Sequence, residues 1–228
     1  MPRPLPLTLF DLDHTLLDGD SDVLWCDFLM QRGVLDRASF EPQNRRMERE
    51  YTAGTVSPHT FCQFYVGTLA GRSREQWEPL RREFLDQVIA PRINDAAHRL
   101  VERHRGAGEL VVMTTATNRY ITELTAAHLG LPHLIATECE LGADGCFTGR
   151  IAGTLNMREG KVARLHEWLA AQRIDARDCE ITFYSDSIND LPLLLTVRKP
   201  VVVNPDMRLA AEAAERGWPV LNLRDLAG

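Results

Sequence analysis

The segment Leu7-Thr8-Leu9-Phe10-Asp11-Leu12-Asp13-His14-Thr15-Leu16 constrains the fold of this chain more than any other. Its apolar run predicts a buried strand. Asp11 and Asp13 follow at the carboxyl end of that strand, which is where ligands bind in an open α/β sheet. Residues i and i+2 of a strand share a face, and a turn just beyond can aim both acids at one point. Two carboxyls in one site, one ionised and one protonated, supply a nucleophile and a general acid. Taken alone, the pair fits surface acids on a strand–helix turn equally well.

Three further segments tilt the balance. Leu110 to Asn118 reads as a second apolar strand that ends in hydroxyls. Gly160-Lys161 opens an amphipathic stretch. Ile181 to Asp190 is a third strand ending in two more acids, Asp186 and Asp190. Strand with paired acids, strand with hydroxyls, lysine, strand with paired acids, in that order, resembles the haloacid-dehalogenase-like (HAD) superfamily of phosphohydrolases. All four of its motifs have a counterpart here and together they span most of the chain.

With 228 residues, the chain is one large domain or a core with an insert. Residues 18–105 read as helical, with helices predicted at 22–32, 37–52, from Ser57-Pro58 onward, at 74–88 and at 93–104. From Glu109 the rhythm changes. Strands are predicted at 111–114, 134–137, 181–184, 201–203 and 220–221. Helices alternate with them at 118–129, 160–172 and 206–216, and the glycines within 138–153 predict a small β-hairpin. Alternation of this kind implies an α/β fold with a doubly wound parallel sheet, Rossmann-like. The economical division is a catalytic core of residues 1–17 and 107–228, with residues 18–106 inserted as an α-helical cap. A cap at that place resembles the C1-capped subgroup of the superfamily, which includes phosphoserine phosphatase.

Composition excludes several functions. At 44% hydrophobic residues a packed core is available, yet no apolar run is long enough to span a bilayer. Met1-Pro2-Arg3-Pro4 lacks the apolar region of a signal peptide. Five cysteines, an odd number with no C-x-x-C pair, read as reduced thiols in a cytoplasmic protein. Pairing of Cys139 with Cys146 across the hairpin is the weaker reading. A net charge of −6 without a basic block argues against nucleic acid or an anionic membrane as partner. A small phosphorylated metabolite is itself anionic, so its site needs a bound cation and a lysine to invert the local charge.

The resemblance implies roles for individual residues. Asp11 would be the nucleophile, attacking phosphorus in line to give an aspartyl-phosphate. Asp13 would protonate the leaving alkoxide and then deprotonate the hydrolytic water. That second acid favours phosphoryl transfer over carbon–halogen chemistry, because dehalogenases lack it. His14 reads as a turn residue. Thr15 would fix the loop through its hydroxyl. Thr115 and the Ala116 N–H would bind phosphoryl oxygens. Thr114 and Thr117 compete for the hydroxyl role, with Thr117 the better helix cap. Lys161 would offer a point charge to the transferring group, and Asn189 could reach a phosphoryl oxygen. Hard oxygen donors suit Mg²⁺. The Asp11 carboxylate, the Asp13 carbonyl and Asp186 would hold it directly, with Asp190 outside, orienting water or Lys161. Ser185 stands where the family motif usually begins with glycine.

The cap would choose the substrate. Phosphoserine phosphatases carry a glutamate for the amino group shortly after the first motif, and Asp20 sits at that offset. They also carry a cap arginine for the carboxylate. Aligned on Ala53-Gly54-Thr55-Val56, this chain has Tyr65 there, and no arginine occurs between Gly54 and Gly71. Arg45, Arg46 or Arg49 could substitute from another helix. The strings D-L-D-H-T-L-L, R-E-G-K-V-A-R and Y-S-D-S-x-N-D-L-P-L-L look like a bacterial branch with histidinol-phosphate phosphatases among its members. Histidinol phosphate is cationic and has no carboxylate, which suits Asp20, Asp22 and Glu48, although those acids equally fit solvated helix faces. Trp25, Phe61, Phe64 and Tyr65 are pocket or core. The expectation is therefore a Mg²⁺-dependent phosphomonoesterase. Phosphoserine hydrolysis, phosphotransfer or mutase chemistry, and a catalytically silent binding module remain as alternatives.

Overall fold

In a computed structural model of the chain, residues 4–223 are described. Residues 1–3, read above as lacking a leader, and residues 224–228, the end of the expected core, lie outside them. The chain runs β1 (Leu5–Phe10), α1 (Ser21–Gln31), α2 (Arg37–Thr52), α3 (Pro58–Val66), α4 (Arg74–Phe84), α5 (Asp95–Gly106), β2 (Leu110–Asn118), α6 (Arg119–His128), β3 (His133–Leu141) and β4 (Phe147–Ala152). It continues through α7 (Glu159–Ala171), β5 (Cys179–Ser185), α8 (Leu191–Leu194), β6 (Lys199–Val203), α9 (Met207–Arg216) and β7 (Val220–Leu221).

β1 is the centre of a seven-stranded sheet of order β4-β3-β2-β1-β5-β6-β7. Every neighbouring pair is parallel except β3–β4, the expected hairpin. Alternation along β1 builds two layers. Leu7 and Leu9 point into an apolar cluster with Leu165 and Leu169 of α7 and Leu209 of α9. Phe10 points into the other, with Leu100 and Val101 of α5 and Tyr120 of α6. Burying each such side chain is worth on the order of 1.5–3 kcal/mol, so helices on both faces are required. The doubly wound parallel sheet is what the alternating rhythm implied.

Helix starts follow the caps. Asp20 accepts from Asp22 N and Val23 N at the start of α1. Asn94 accepts from Ala97 N at 2.9 Å, so α5 begins two residues later than the apolar spacing suggests. Ala97, Leu100 and Val101 of α5 share a cluster with Val111 and Met113 of β2, so this helix covers the sheet. Trp25, Trp77 and Phe84, from α1 and α4, join the same cluster. Phe61 and Tyr65 of α3 sit in a smaller one with Cys26, Val56 and Met157. All five cysteines are free. No helix among the described residues is long and apolar enough to cross a membrane.

Candidate active site

The carboxyl ends of β1, β2 and β5 meet where the strand order reverses, the place an open α/β sheet offers a ligand. Asp11 leaves β1 with its N–H donating to the Tyr184 carbonyl at 2.9 Å. Lys161, in the first turn of α7, donates to Asp11 Oδ1 and to Asp190 Oδ2, both at 2.7 Å. Ser185 Oγ donates to the same Asp190 oxygen at 2.7 Å. The serine that replaces glycine thus helps orient the acid that orients the lysine. The Thr15 hydroxyl lies 3.3 Å from Asp11 Oδ2 and 3.2 Å from Asp186 Oδ1, with one hydrogen for the two. Asp11, Lys161, Asp186 and Asp190 are all buried.

Asp13 is held from the other side. Ser21 N donates to Oδ1 at 2.7 Å, while the hydroxyls of Thr115 and Thr117 reach Oδ2 at 3.2 and 3.0 Å. β2 runs four residues beyond its predicted end, and its register to β3 slips between Thr115 and Asn118. The polar Thr115-Ala116-Thr117-Asn118 run looked like the close of a strand because its hydroxyls serve the site and not the core. Thr117 is not the helix cap: Asn118 accepts from Ile121 N to start α6. Thr114 turns away, with Asn156 Nδ2 at 3.0 Å from its hydroxyl. Asn156 Nδ2 also donates to the Thr115 carbonyl at 2.8 Å, which fixes the strand end from behind.

The electrostatics are those of an acidic hole with one fixed cation. Burial pushes Asp11 up to about 7; Lys161 pulls it down while Asp190 and Asp13 raise it further. Asp186 is pushed well above the carboxylate range by burial, then by Asp11 and Asp190. Burial opposes the charge on Lys161, but the Asp11 and Asp190 carboxylates more than offset it and hold the ammonium above its ordinary value. Asp20 is pushed up to about 7 by burial and by Asp13. Asp22 is driven well above its usual value by burial, Asp20 and Asp13. Its Oδ2 lies 3.3 Å from the Thr117 hydroxyl, which already faces Asp13. Asp22 is therefore a buried partner of the Asp13 network and not part of a solvated helix face.

These groups enclose a cavity of about 50 Å³, lined also by His14, Tyr51, Phe61, Ala116, Met157 and Asn189. Larger surface concavities, such as one of about 830 Å³ along Arg37 to Arg49, contain none of the aspartates at the strand ends. Of the expected site residues, Asp11, Asp13, Asp20, Ala116, Lys161, Asp186, Asn189 and Asp190 line the cavity itself, and Thr115 lies just behind it. His14 takes the left-handed φ of +57° in the turn. Glu48 is exposed. Trp25 and Tyr65 are core residues, and Phe64 stacks on Phe40. Arg45 and Arg46 pair with Glu41 and Glu50 on the outside of α2. Arg49 lines the outer concavity of α2. No arginine lines the cavity among the described residues.

Sequence reasoning missed Tyr51, Asn156 and Arg158. Arg158 Nε donates to Asn189 Oδ1 at 3.0 Å, and its backbone takes a left-handed φ of +52°. The positive charge three residues before Lys161 was the only signal for it. Among the described residues no three His, Cys, Asp or Glu side chains converge as a ready-made metal centre. Asp11 and Asp186 nonetheless meet at the Thr15 hydroxyl, with more buried negative charge around them than Lys161 neutralises. That donor set, hard oxygens with excess charge, fits Mg²⁺.

Comparisons with known proteins show the family. The haloacid dehalogenase-like hydrolase family matches residues 8–195. A histidinol-phosphatase of Neisseria meningitidis is 41% identical over 219 residues, covering 96% of this chain and 99% of that protein. A phosphoserine phosphatase of Mycobacterium tuberculosis is 32% identical over 234 residues, covering 97% of this chain and 73% of that protein. The crystal structure of a Bordetella pertussis protein of unknown function superposes with a TM-score of 0.92 at 41% identity, covering 96% and 99% of the two chains.

Proposed function

We propose, for a chain that belongs to the haloacid dehalogenase-like hydrolase family, that this site hydrolyses a small phosphorylated metabolite through a phosphorylated Asp11. The observation that carries the reading is the pairing of two differently held acids: Asp11 on Lys161 at 2.7 Å, and Asp13 on Thr115 and Thr117. Asp11 attacks phosphorus. Asp13 gives a proton to the leaving alkoxide, then takes one from the water that cleaves the acyl phosphate. Lys161, Thr115, the Ala116 N–H and Asn189 hold the phosphoryl oxygens. The Asp11 and Asp186 carboxylates with the Asp13 carbonyl would hold Mg²⁺, and Asp190 would act from outside through Lys161. Bound there, Mg²⁺ supplies charge stabilisation to the phosphoryl group.

Residues 18–106 act as the cap in this reading, and residues 1–17 and 107–228 as the core. Asp20, Tyr51 and Phe61 bring the cap to the cavity, whereas α5 lies on the sheet. The cavity of about 50 Å³ is far below the several hundred Å³ of a small-molecule site, so α2 and α3 have to give way to admit substrate.

For the substrate, Asp20 and the absence of an arginine from the cavity wall favour an aminated ester without a carboxylate. Histidinol phosphate, which the Neisseria relative is named for, has that chemistry. A second reading, phosphoserine, draws on Arg158 beside Asn189 and on the name of the mycobacterial relative. The test is kcat/KM with Mg²⁺ for histidinol phosphate, phosphoserine and glycerol phosphate. A missing buried charge pair should cost phosphoserine about 30-fold or more. If phosphoserine is the best of the three, the substrate reading fails and Arg158 becomes its carboxylate partner. Solvent-derived ¹⁸O in the released phosphate separates hydrolysis from transfer to another acceptor. A Mg²⁺-supplied protein inert towards p-nitrophenyl phosphate would point to a binding module instead.

A further inference from the structure

Two cap residues on the cavity wall have no part in phosphoryl transfer. Tyr51 lies in the last turn of α2 and Phe61 in α3, and both line the cavity beside Asp20. Their rings stack with centroids 4.2 Å apart and planes 25° off parallel. Phe61 is backed in turn by Tyr65, edge-on at 5.0 Å, so the outer ring rests on a packed aromatic column. Tyr51 itself is half-buried. Its phenol is held neutral, pushed well above its usual range by burial and by Asp20, Asp190, Asp186 and Asp11.

We propose that Tyr51, supported by Phe61, is the specificity surface for the leaving group and selects a planar ring that carries or can accept positive charge. Three features of the cavity converge on this. A π-face backed by a second ring stacks well on another ring. Asp20, on the same cavity wall and outside the proposed metal site, adds to the attraction of that face for a cation. No arginine lines the cavity among the described residues to receive an anionic group in its place. The inference rests on the phosphomonoesterase reading and deepens it: Asp20 is assigned to an amine, whereas Tyr51 and Phe61 are assigned to a ring. Because both aromatic residues sit on helices that have to give way for entry, the same surface closes over the leaving group once it is bound.

The experiment compares matched esters with and without the ring. Histidinol phosphate is paired with alaninol phosphate, which keeps the amine. The pair 3-(imidazol-4-yl)propyl phosphate and propyl phosphate lacks it. The native enzyme should favour the ring-bearing member of each pair by roughly tenfold or more in kcat/KM. Tyr51→Leu and Phe61→Leu should collapse both ratios towards unity, and Tyr51→Phe should keep them. A native ratio near unity in both pairs overturns the assignment without reference to any variant. So does a Tyr51→Leu enzyme that loses the same factor on both members of each pair, since that is the mark of a merely structural residue. If phosphoserine outruns histidinol phosphate while the ring ratios persist and Tyr51→Leu abolishes them, the aromatic surface stands and the named substrate falls.

Discussion

Asp11 and Asp13 are two residues apart in sequence yet held by different chemistry. Asp11 meets an ammonium and shares a threonine hydroxyl with Asp186, whereas Asp13 is gripped by a backbone N–H and two hydroxyls. The ammonium beside Asp11 opposes the burial that would protonate it, as a nucleophile needs, and Asp13, held away from that lysine, is left for the proton-transfer role. Asp13→Asn should therefore lose turnover while keeping Mg²⁺ affinity, and Asp186→Asn should weaken Mg²⁺ binding, both read by titration calorimetry. The reverse pattern would mean that the roles are exchanged. The strand-end acids and Lys161 were legible because each follows an apolar strand or opens an amphipathic helix. Tyr51, Asn156 and Arg158 were not, because nothing local distinguishes a polar residue that faces a site from one that faces water. Their roles come from where α2 and the turn before α7 happen to pack.

Elements position these residues, and the entry to α7 does so most tightly. A Cβ on Gly160 would stand 1.9 Å from the Leu155 carbonyl oxygen, and Gly160 N donates to the Met157 carbonyl at 2.9 Å. In an ordinary helix, replacing glycine by alanine stabilises by about 0.4–1 kcal/mol. Here Gly160→Ala should destabilise by roughly 1–3 kcal/mol through overpacking and lower kcat, because Lys161 moves with the displaced turn. Urea unfolding and steady-state kinetics check both parts; a more stable and fully active variant would contradict the close approach. Most elements were readable from period and punctuation, α2 and β7 to the residue. The misjudged ones have physical causes. β2 extends through polar residues because its end serves the site, and α5 shifts because Asn94 is a better cap than its apolar neighbours.

Across the whole molecule, the acidic cavity should tie stability to pH and, if the proposed function holds, to Mg²⁺. Asp11 is raised from 3.8 to about 7 in the folded protein. The stability it contributes is complete below the unfolded value and is lost as pH rises through the folded one. Asp20 follows the same direction, as does Asp186. The metal-free protein should accordingly lose stability between about pH 4 and pH 7. A bound cation competes with those protons, so saturating Mg²⁺ should raise Tm more at about pH 8 than at about pH 5. An equal shift at both would argue that the raised carboxyls are not its ligands. The parallel sheet and the order of its motifs could be read from the chain. The closed fit of α2 and α3 over the cavity could not, since it depends on contacts distant in sequence. The central claim remains covalent: Asp11 takes the phosphoryl group. Acid-quenching the enzyme during turnover with Mg²⁺ and substrate, trapping the acyl phosphate by borohydride reduction and locating it by mass spectrometry tests this directly. The expected result is reduction at Asp11 alone, absent from Asp11→Asn, which should also retain less than about 1% of native kcat. Steady turnover with no modification at Asp11, or with the label on another residue, would contradict it.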